Sequence, residues 1–262
     1  DTASYEHSVV AVTVSLLTGT ALAGDAMGDT FLSIEGLLGS AFDDVLSGDS
    51  KANALAGGEG ADILEGGAGD DTLDGGAGID LASYAGSTAG VTVSLFTGLT
   101  IGDDAAGDTF LSIEGLRGSA FADMFSGDGN ANTLEGGAGD DALRGRAGAD
   151  FLDGGAGADR FVYGAVTDST KDLAGRDTIL DFSRADGDRI DLSEIDANPL
   201  ASGDQAFSFL SFGAYTGTAG EVRLQASAQG LLVAADTDGD MVSDLVVLVH
   251  GTGFLTSADF LL

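Results

Sequence analysis

The 262-residue sequence has no cysteine, no tryptophan, one proline and two histidines. Without cysteine, no disulfide, thiolate metal site or cysteine nucleophile is possible. His7 and His250 are far apart in sequence, and the HExxH and GxSxG motifs are absent, which argues against a histidine-based zinc site and a serine hydrolase. No apolar run approaches the length of a membrane span, and no signal peptide opens the chain. Among catalytic residue types only carboxylates are abundant, and their regular spacing has another explanation, given below. We therefore expect no enzymatic activity in this chain.

Positive charge is also scarce, since 10 lysines and arginines face 43 acidic residues and the net charge is −33. Phosphate binding needs a basic surface, so a nucleic-acid partner is excluded. Multivalent cations are the natural partners of such a chain.

What the sequence has instead is repetition. VTVSLLTG at Val12 returns as VTVSLFTG at Val91, and GDTFLSIEGLLGSAF at Gly28 returns as GDTFLSIEGLRGSAF at Gly107, both 79 residues later. A fixed period indicates a repeat architecture. We therefore expect three regions, namely residues 1–79 and 80–162 as two repeat blocks and residues 163–262 as a cap.

Each block contains a shorter period of nine residues, as in GGEGADILE and GGAGDDTLD. Place eight is mostly large and apolar, as a buried strand residue would be, whereas a disordered glycine linker would keep no such register. Place six is always a carboxylate or an amide: Asp44, Asn53, Asp62, Asp71, Asp80, Asp123, Asn132, Asp141, Asp150 and Asp159.

The glycine-acid turns suit calcium, which takes six to eight oxygens from carboxylates and backbone carbonyls. Glycine lets a turn adopt left-handed angles and direct its carbonyls toward an ion. Besides the place-six residues and Asp168, we predict as ligand-bearing positions the turn glycines Gly57, Gly58, Gly60, Gly66, Gly67, Gly69, Gly75, Gly76, Gly78, Gly136, Gly137, Gly139, Gly145, Gly148, Gly154, Gly155 and Gly157.

The nonapeptides resemble the RTX repeat, G-G-x-G-x-D-x-U-x, of bacterial calcium-binding exoproteins. The resemblance implies an all-β fold, a right-handed parallel β-roll in which two nonapeptides form one coil and Ca2+ lies between turns 18 residues apart. Stacking by 18 pairs Asp44 with Asp62, Asp62 with Asp80, Asn53 with Asp71, Asp123 with Asp141, Asp141 with Asp159, Asn132 with Asp150, and Asp150 with Asp168, which predicts about seven or more ions.

A 25-residue insert interrupts each block, at residues 5–29 and 84–108, and carries an alternating strand pattern. We read the inserts as irregular coils or hairpins. Their acids Asp25, Asp29, Asp104 and Asp108 are expected to be solvated turn residues, and the alternative is that they bind further calcium.

The tail contains short β patterns and resembles the C-terminal domain of serralysin-type secreted metalloproteases, in RDTILDFSRADGDRIDLSEIDA, DTDGDMVSDLVVLVHG and the final ADFLL. Other exported enzymes, such as alginate epimerases, share this domain type, so it indicates an export and calcium module. In DTDGDMVSD, we consider Asp236, Asp238 and Asp240, with Asp244, as a further calcium loop; the alternative is a hairpin turn.

Together these features predict a non-catalytic calcium-binding module of a larger secreted, extracellular protein. Because Asp1 falls at place six of a nonapeptide, we expect the chain to be a fragment that follows an upstream catalytic or binding domain. The resemblance implies that ADFLL is recognised by type I secretion machinery. The alternative function is a calcium-rigidified adhesin or ice-binding surface, but place seven shows no regular row of one residue type.

Overall fold

A computed structural model describes residues 1–262 and divides them into two compact units, unit 1 (Asp1–Phe125) and unit 2 (Ser126–Leu262). The division lies within the second repeat block. Apart from strands, regular structure is limited to 3-10 turns at Gly24–Ala26, Asp103–Ala105, Leu173–Gly175 and Ser257–Asp259. None of the helices could cross a membrane.

Unit 1 is built from short strands, most of them three residues long. They are β1 (Thr2–Ser4), β2 (Thr13–Ser15), β3 (Thr20–Leu22), β4 (Gly36–Leu38), β5 (Val45–Ser47), β6 (Ala54–Glu59), β7 (Ile63–Glu65), β8 (Thr72–Ala77), β9 (Leu81–Ser83), β10 (Thr92–Ser94), β11 (Leu99–Ile101), β12 (Thr109–Leu111) and β13 (Gly115–Arg117). A further strand, β14 (Met124–Ser126), crosses the boundary between the units.

The strands of unit 1 form parallel ladders whose register follows the sequence period. One ladder runs β1-β4-β6-β8-β12, and another orders β5, β7, β9 and β13 as neighbours. Place-eight residues 18 apart lie side by side, since Leu37 pairs with Leu55 and Leu46 pairs with Leu64. All four side chains are at most 1% exposed, so the apolar residue of each nonapeptide forms the core of the roll.

Both inserts contain an antiparallel hairpin, β2–β3 in the first and β10–β11 in the second. The first hairpin joins the roll because β2 pairs in parallel with β5. The hairpins match the alternating pattern expected from the sequence.

Unit 2 is built from strands of two to six residues. They are β15 (Thr133–Ala138), β16 (Ala142–Arg144), β17 (Phe151–Ala156), β18 (Arg160–Val162), β19 (Thr178–Ile179), β20 (Arg189–Asp191), β21 (Ser208–Phe209), β22 (Glu221–Ala226), β23 (Leu231–Asp236), β24 (Leu245–Val249) and β25 (Phe260–Leu261).

In unit 2 the parallel ladder continues into the tail. β19 pairs in parallel with β17 and then with β24, while β20 pairs with β18 and then with β25. Only β22, β23 and β24 form an antiparallel meander, which follows the tail's apolar runs. The prediction of an all-β parallel roll with a β-rich end is confirmed.

Candidate metal centres

The place-six residues lie where each turn enters a strand, and all ten are buried despite their charge or polarity: Asp44, Asn53, Asp62, Asp71, Asp80, Asp123, Asn132, Asp141, Asp150 and Asp159. None is more than 4% exposed. Burying carboxylates is costly unless hydrogen bonds or cations compensate for the lost hydration. Their partners therefore decide what the site can do.

In five of these acids one oxygen is bonded to the turn 18 residues earlier, whereas Asp44 and Asp123 accept the N–H groups of Val12 and Val91 in the inserts. The Asp44 backbone N–H donates to Asp62 Oδ1 at 2.7 Å, and the Asp62 N–H donates to Asp80 Oδ1 at 2.8 Å. The same bond joins Asn53 to Asp71, Asn132 to Asp150, and Asp141 to Asp159 at 2.7–2.9 Å. Five of the stacked pairs expected from the sequence are thus adjacent, and the pair Asp123 with Asp141 stays a prediction.

The other oxygen has no donor in five of these acids. Oδ2 is buried and without a hydrogen bond in Asp62, Asp71, Asp80, Asp150 and Asp159. Burial raises the pKa of Asp62, Asp71 and Asp159 to about 6, because no positive charge compensates for the lost hydration. Each of these five turns therefore presents a carboxylate oxygen that lacks a cationic partner, whereas Oδ2 of Asp44 and of Asp123 accepts the N–H of Ser40 and Ser119.

The place-one glycines make room for these oxygens. A methyl group added at Gly66 would come within 2.2 Å of Asp71 Oδ2, and one added at Gly57 would lie 2.1 Å from Asp62 Oδ2 and 2.7 Å from the Gly75 carbonyl. The same crowding by the place-six Oδ2 recurs at Gly75, Gly136, Gly145 and Gly154. Carboxylate and carbonyl oxygens thus fill the space that a side chain would occupy.

Most of the other predicted turn glycines have left-handed backbone angles. Gly67 has a φ of +85° and Gly69 a φ of +139°, which L side chains rarely adopt. Positive φ is shared by Gly58, Gly60, Gly76, Gly137, Gly139, Gly148, Gly155 and Gly157, but not by Gly78. At Gly78 an added methyl group would meet the Gly60 carbonyl at 1.6 Å, so close packing rather than φ excludes a side chain there.

These turns fit Ca2+ on chemical grounds. Their donors are all hard oxygens, several are orphaned carboxylate oxygens in the interior, and no soft or nitrogen ligand is present. An ion bound between stacked turns would supply the missing positive charge.

The insert acid Asp108 corrects the expectation that all four insert acids are solvated. It is 3% exposed and accepts hydrogen bonds from the Asp71 N–H and the Tyr84 hydroxyl, both at 3.0 Å. Burial raises its pKa to about 7. Asp108 extends the ladder of Asp71 by one coil, which the 25-residue interruption conceals in the sequence.

The tail continues the same scheme as a shortened third copy. Asp159 lies 79 residues after Asp80, and DTIL at residues 177–180 corresponds to DTFL at residues 108–111. The Asp150 N–H donates to Asp177 Oδ1, and the Asp159 N–H donates to Asp188 Oδ1. The DT-x-L motif is the signal from which Asp177 could have been found.

Asp177, rather than the predicted Asp168, is therefore the stacked partner of Asp150. Asp168 accepts the backbone N–H groups of Gly164 and Ala165 instead. It is still close enough for its charge to raise the pKa of Asp177, although burial is the larger cause. Asp177 Oδ2 is also without a donor.

The hairpin between β23 and β24 brings Asp236, Asp238 and Asp244 together, with carboxylate oxygens within 4.8 Å of one another. Asp240, predicted as a ligand, is outside this group, and its Oδ1 accepts the Val242 N–H. Asp236 accepts the N–H groups of Asp238, Gly239 and Met241, so hydrogen bonds within the turn already engage both of its oxygens.

Comparison with known proteins gives one match. The family model described as Peptidase M10 serralysin C terminal matches residues 35–262, which is most of the chain. No curated protein matches it.

Proposed function

The chain belongs to the serralysin C-terminal family of M10 peptidases, a non-catalytic calcium-binding RTX repeat domain, and we propose that calcium drives its folding outside the cell. The observation that supports this proposal is the ladder of buried carboxylates with orphaned Oδ2 atoms. Without a bound cation, these buried negative charges destabilise the folded state. Bound calcium neutralises them and stabilises the fold.

The proposed ligands are the stacked place-six residues, the carbonyls of their glycine turns, and the ladder acids Asp108, Asp177 and Asp188. The predicted Asp168 is retained as a neighbouring charge, and the turn of Asp236, Asp238 and Asp244 as a separate cation-binding group. When bound, calcium neutralises the carboxylates and crosslinks successive coils.

The test is far-UV circular dichroism of protein stripped of metal, with its metal content measured, followed by titration with calcium. We expect little strand signal without metal and a cooperative gain at about 10⁻⁴–10⁻³ M calcium, the range of extracellular modules. Magnesium at the same concentration is the control. A strand-rich spectrum at about pH 8 in protein shown to be free of metal would contradict the proposal.

We further propose that the domain supports type I export of a larger secreted protein, an exoenzyme, through residues 258–262. Cytosolic calcium lies far below the binding range of extracellular modules, so the chain remains unfolded and threadable inside the cell and folds as it emerges. In the folded domain Asp259 is bonded to Arg184 Nε by both carboxylate oxygens at 2.9 Å, and Phe260 is buried in β25. Asp259 and Phe260 are therefore covered in the folded domain and are accessible before it folds.

Deletion of residues 259–262 from the parent protein, expressed with a matching secretion channel, tests the export role. We expect loss of export with calcium-dependent folding retained. Arg184→Gln is the matched control, because it loosens the docked segment and leaves its sequence intact. Normal export of the deletion variant would show that the signal lies elsewhere.

A further inference from the structure

Unit 2 contains a groove of about 420 Å³ that is lined by three positively charged side chains, Lys171, Arg176 and Arg223. The chain has only 10 lysines and arginines among 43 acidic residues, so three in one groove is a marked concentration. In so acidic a chain, basic side chains are expected to form ion pairs with carboxylates. In this groove three basic side chains lie together instead.

The three cations form no ion pair, whereas Lys51, Arg144 and Arg184 each contact a carboxylate. Arg176 donates from Nη2 to the Lys171 carbonyl, and Arg223 donates from Nη2 to Gln225 Oε1 at 3.2 Å. The Nε atoms of both arginines are buried and without an acceptor. Because no carboxylate neutralises these three side chains, their positive charge is available to an anionic ligand.

The floor of the groove is apolar and belongs to the outer face of the antiparallel meander. Arg223 of β22 is paired with Ala234 of β23, which is paired with Val246 of β24, so the three side chains share one face. Leu232 lies on the same face, opposite Gln225. The exposed side chain of Met241 adds apolar surface at the rim.

The positive charges are at opposite ends of this floor. Arg223 is on β22, and Arg176 precedes β19, with β23 and β24 between them. Three strand spacings amount to about 14 Å, which an extended chain crosses in about four residues. An extended segment of about that length therefore matches the spacing of the strands that carry the two arginines, whereas a uronate polymer would leave the aliphatic floor without an apolar partner.

We propose that this groove binds an extended peptide segment in which two acidic residues flank a short apolar stretch. The acidic side chains pair with Arg223 at one end and with Arg176 and Lys171 at the other. The apolar side chains pack on the half-buried Leu232 and the exposed Met241, since Ala234 and Val246 beneath them are only 4% and 6% exposed. Arg223 is held for this role by Tyr215, whose ring lies 5.1 Å from the guanidinium carbon and whose hydroxyl bonds to Ser243. This binding surface is separate from the stacked nonapeptide turns and does not depend on their role in export, although Met241 and Ser243 at its rim belong to the Asp236–Asp244 turn.

The experiment is selection of random peptides displayed on phage against the calcium-loaded chain, with depletion on the Arg176→Gln/Arg223→Gln variant. We expect enriched peptides to carry two acids separated by three or four mainly apolar residues. Fluorescence anisotropy of a labelled enriched peptide should show about tenfold or greater weakening in the double variant. Replacing its acids with glutamine should have the same effect, and added salt should weaken binding.

Arg189→Gln, an exposed arginine outside the groove, is the matched control and should bind normally. Lys171→Gln provides a milder variant should the double variant fail to fold in calcium, and it should still weaken binding. Leu232→Thr should weaken the peptide as well, because it removes apolar floor.

The absence of any peptide enriched over the double variant would overturn the proposal. Equal affinity of the wild type and the charge variants would do so too. If oligogalacturonate bound in an arginine-dependent manner that Leu232→Thr left unchanged, while no acidic-apolar peptide bound, the groove would be a polyanion site and the peptide assignment would be wrong.

Discussion

The two 79-residue copies contain the same DTFLSIEG sequence in two different structures. In the second copy, Thr109–Leu111 form β12 and Asp108 is buried, whereas Asp29 is exposed and residues 30–32 form no strand. The local contact is nevertheless the same, since Tyr5 donates to Asp29 and Tyr84 donates to Asp108, both at 3.0 Å.

The difference comes from a neighbour that is distant in sequence. β12 pairs in parallel with β8, and the Asp71 N–H donates to Asp108, whereas residues 30–32 have no such partner strand. A three-residue parallel strand has no hydrogen bonds of its own, so it forms only where another strand supplies them. In this fold, stacking decides whether a repeated acid is a ladder member or a surface residue.

The largest expected effect is a pH dependence of the stability of the metal-free protein, to which the buried acids contribute and the exposed Asp29 does not. In calcium-free protein, the folded-state pKa values of Asp62 and Asp71 are raised to about 6 and that of Asp108 to about 7. The folded state then binds more protons than the unfolded state, so stability increases as pH falls from about 7 toward about 4. Circular dichroism of metal-free protein should show more strand at about pH 5 than at about pH 8.

With calcium the sign reverses, since protons compete with the ion for the same carboxylates. Asp108→Ala should reduce the pH dependence of the metal-free protein, and Asp29→Ala should leave it unchanged. A metal-free protein that lost strand on acidification would contradict the burial of uncompensated acids.

The comparison of Asp108→Ala with Asp29→Ala tests the stacking directly. Asp108→Ala removes acceptors for two buried hydrogen bonds and should cost about 2–4 kcal/mol of unfolding free energy. Asp29→Ala removes one bond at an exposed site and should cost less than about 1 kcal/mol. Urea unfolding in millimolar calcium measures both, and equal losses would mean that the two copies are equivalent.

Gly67 and Arg146 occupy corresponding positions of the two copies, and both have positive φ, +85° and +72°. Arg146→Gly should raise the free energy of unfolding by about 1 kcal/mol and lower the calcium concentration at the folding midpoint, since a non-glycine residue is strained there. Gly67→Arg should cost about 1–2 kcal/mol, because its Cβ would also meet the Asp49 carbonyl. Arg146→Lys and Gly129→Arg are the controls for charge. If Arg146→Gly and Gly67→Arg left the calcium midpoint unchanged, backbone strain at these positions would not affect calcium-dependent folding.

The smallest effect is expected from the tyrosine hydroxyls. Tyr84→Phe leaves the buried Asp108 with one donor fewer and should cost about 1 kcal/mol. Tyr5→Phe should cost a few tenths of a kcal/mol, since water can replace the hydroxyl at exposed Asp29. Thermal unfolding of the two variants measures both losses, and a larger loss for Tyr5→Phe than for Tyr84→Phe would contradict the prediction.

The repeat register was predictable because it is local. The nine-residue spacing, together with the two-nonapeptide coil that the RTX resemblance implies, puts Leu55 and Leu73 in one core column and Asn53 and Asp71 in one ladder, and both pairs are adjacent in the structure. Stacking partners were harder to predict where the nine-residue register is interrupted, because nothing near Asp108 or Asp177 in the sequence shows which distant turn each acid will join. Asp168 has the expected spacing, and the structure nonetheless places Asp177 against Asp150.

The nine-residue period, the apolar place-eight residues and the acid-rich turns could be read from the chain alone, because glycine, aspartate and leucine impose them through local angles, charge and hydrophobicity. The all-β class and the two-nonapeptide coil were implied by the RTX resemblance. Neither source indicated which insert acids are buried, that the tail begins as a shortened third copy, or that Lys171, Arg176 and Arg223 share one groove. These outcomes depend on strand pairing between distant segments, whose partners supply the missing hydrogen bonds and exclude water.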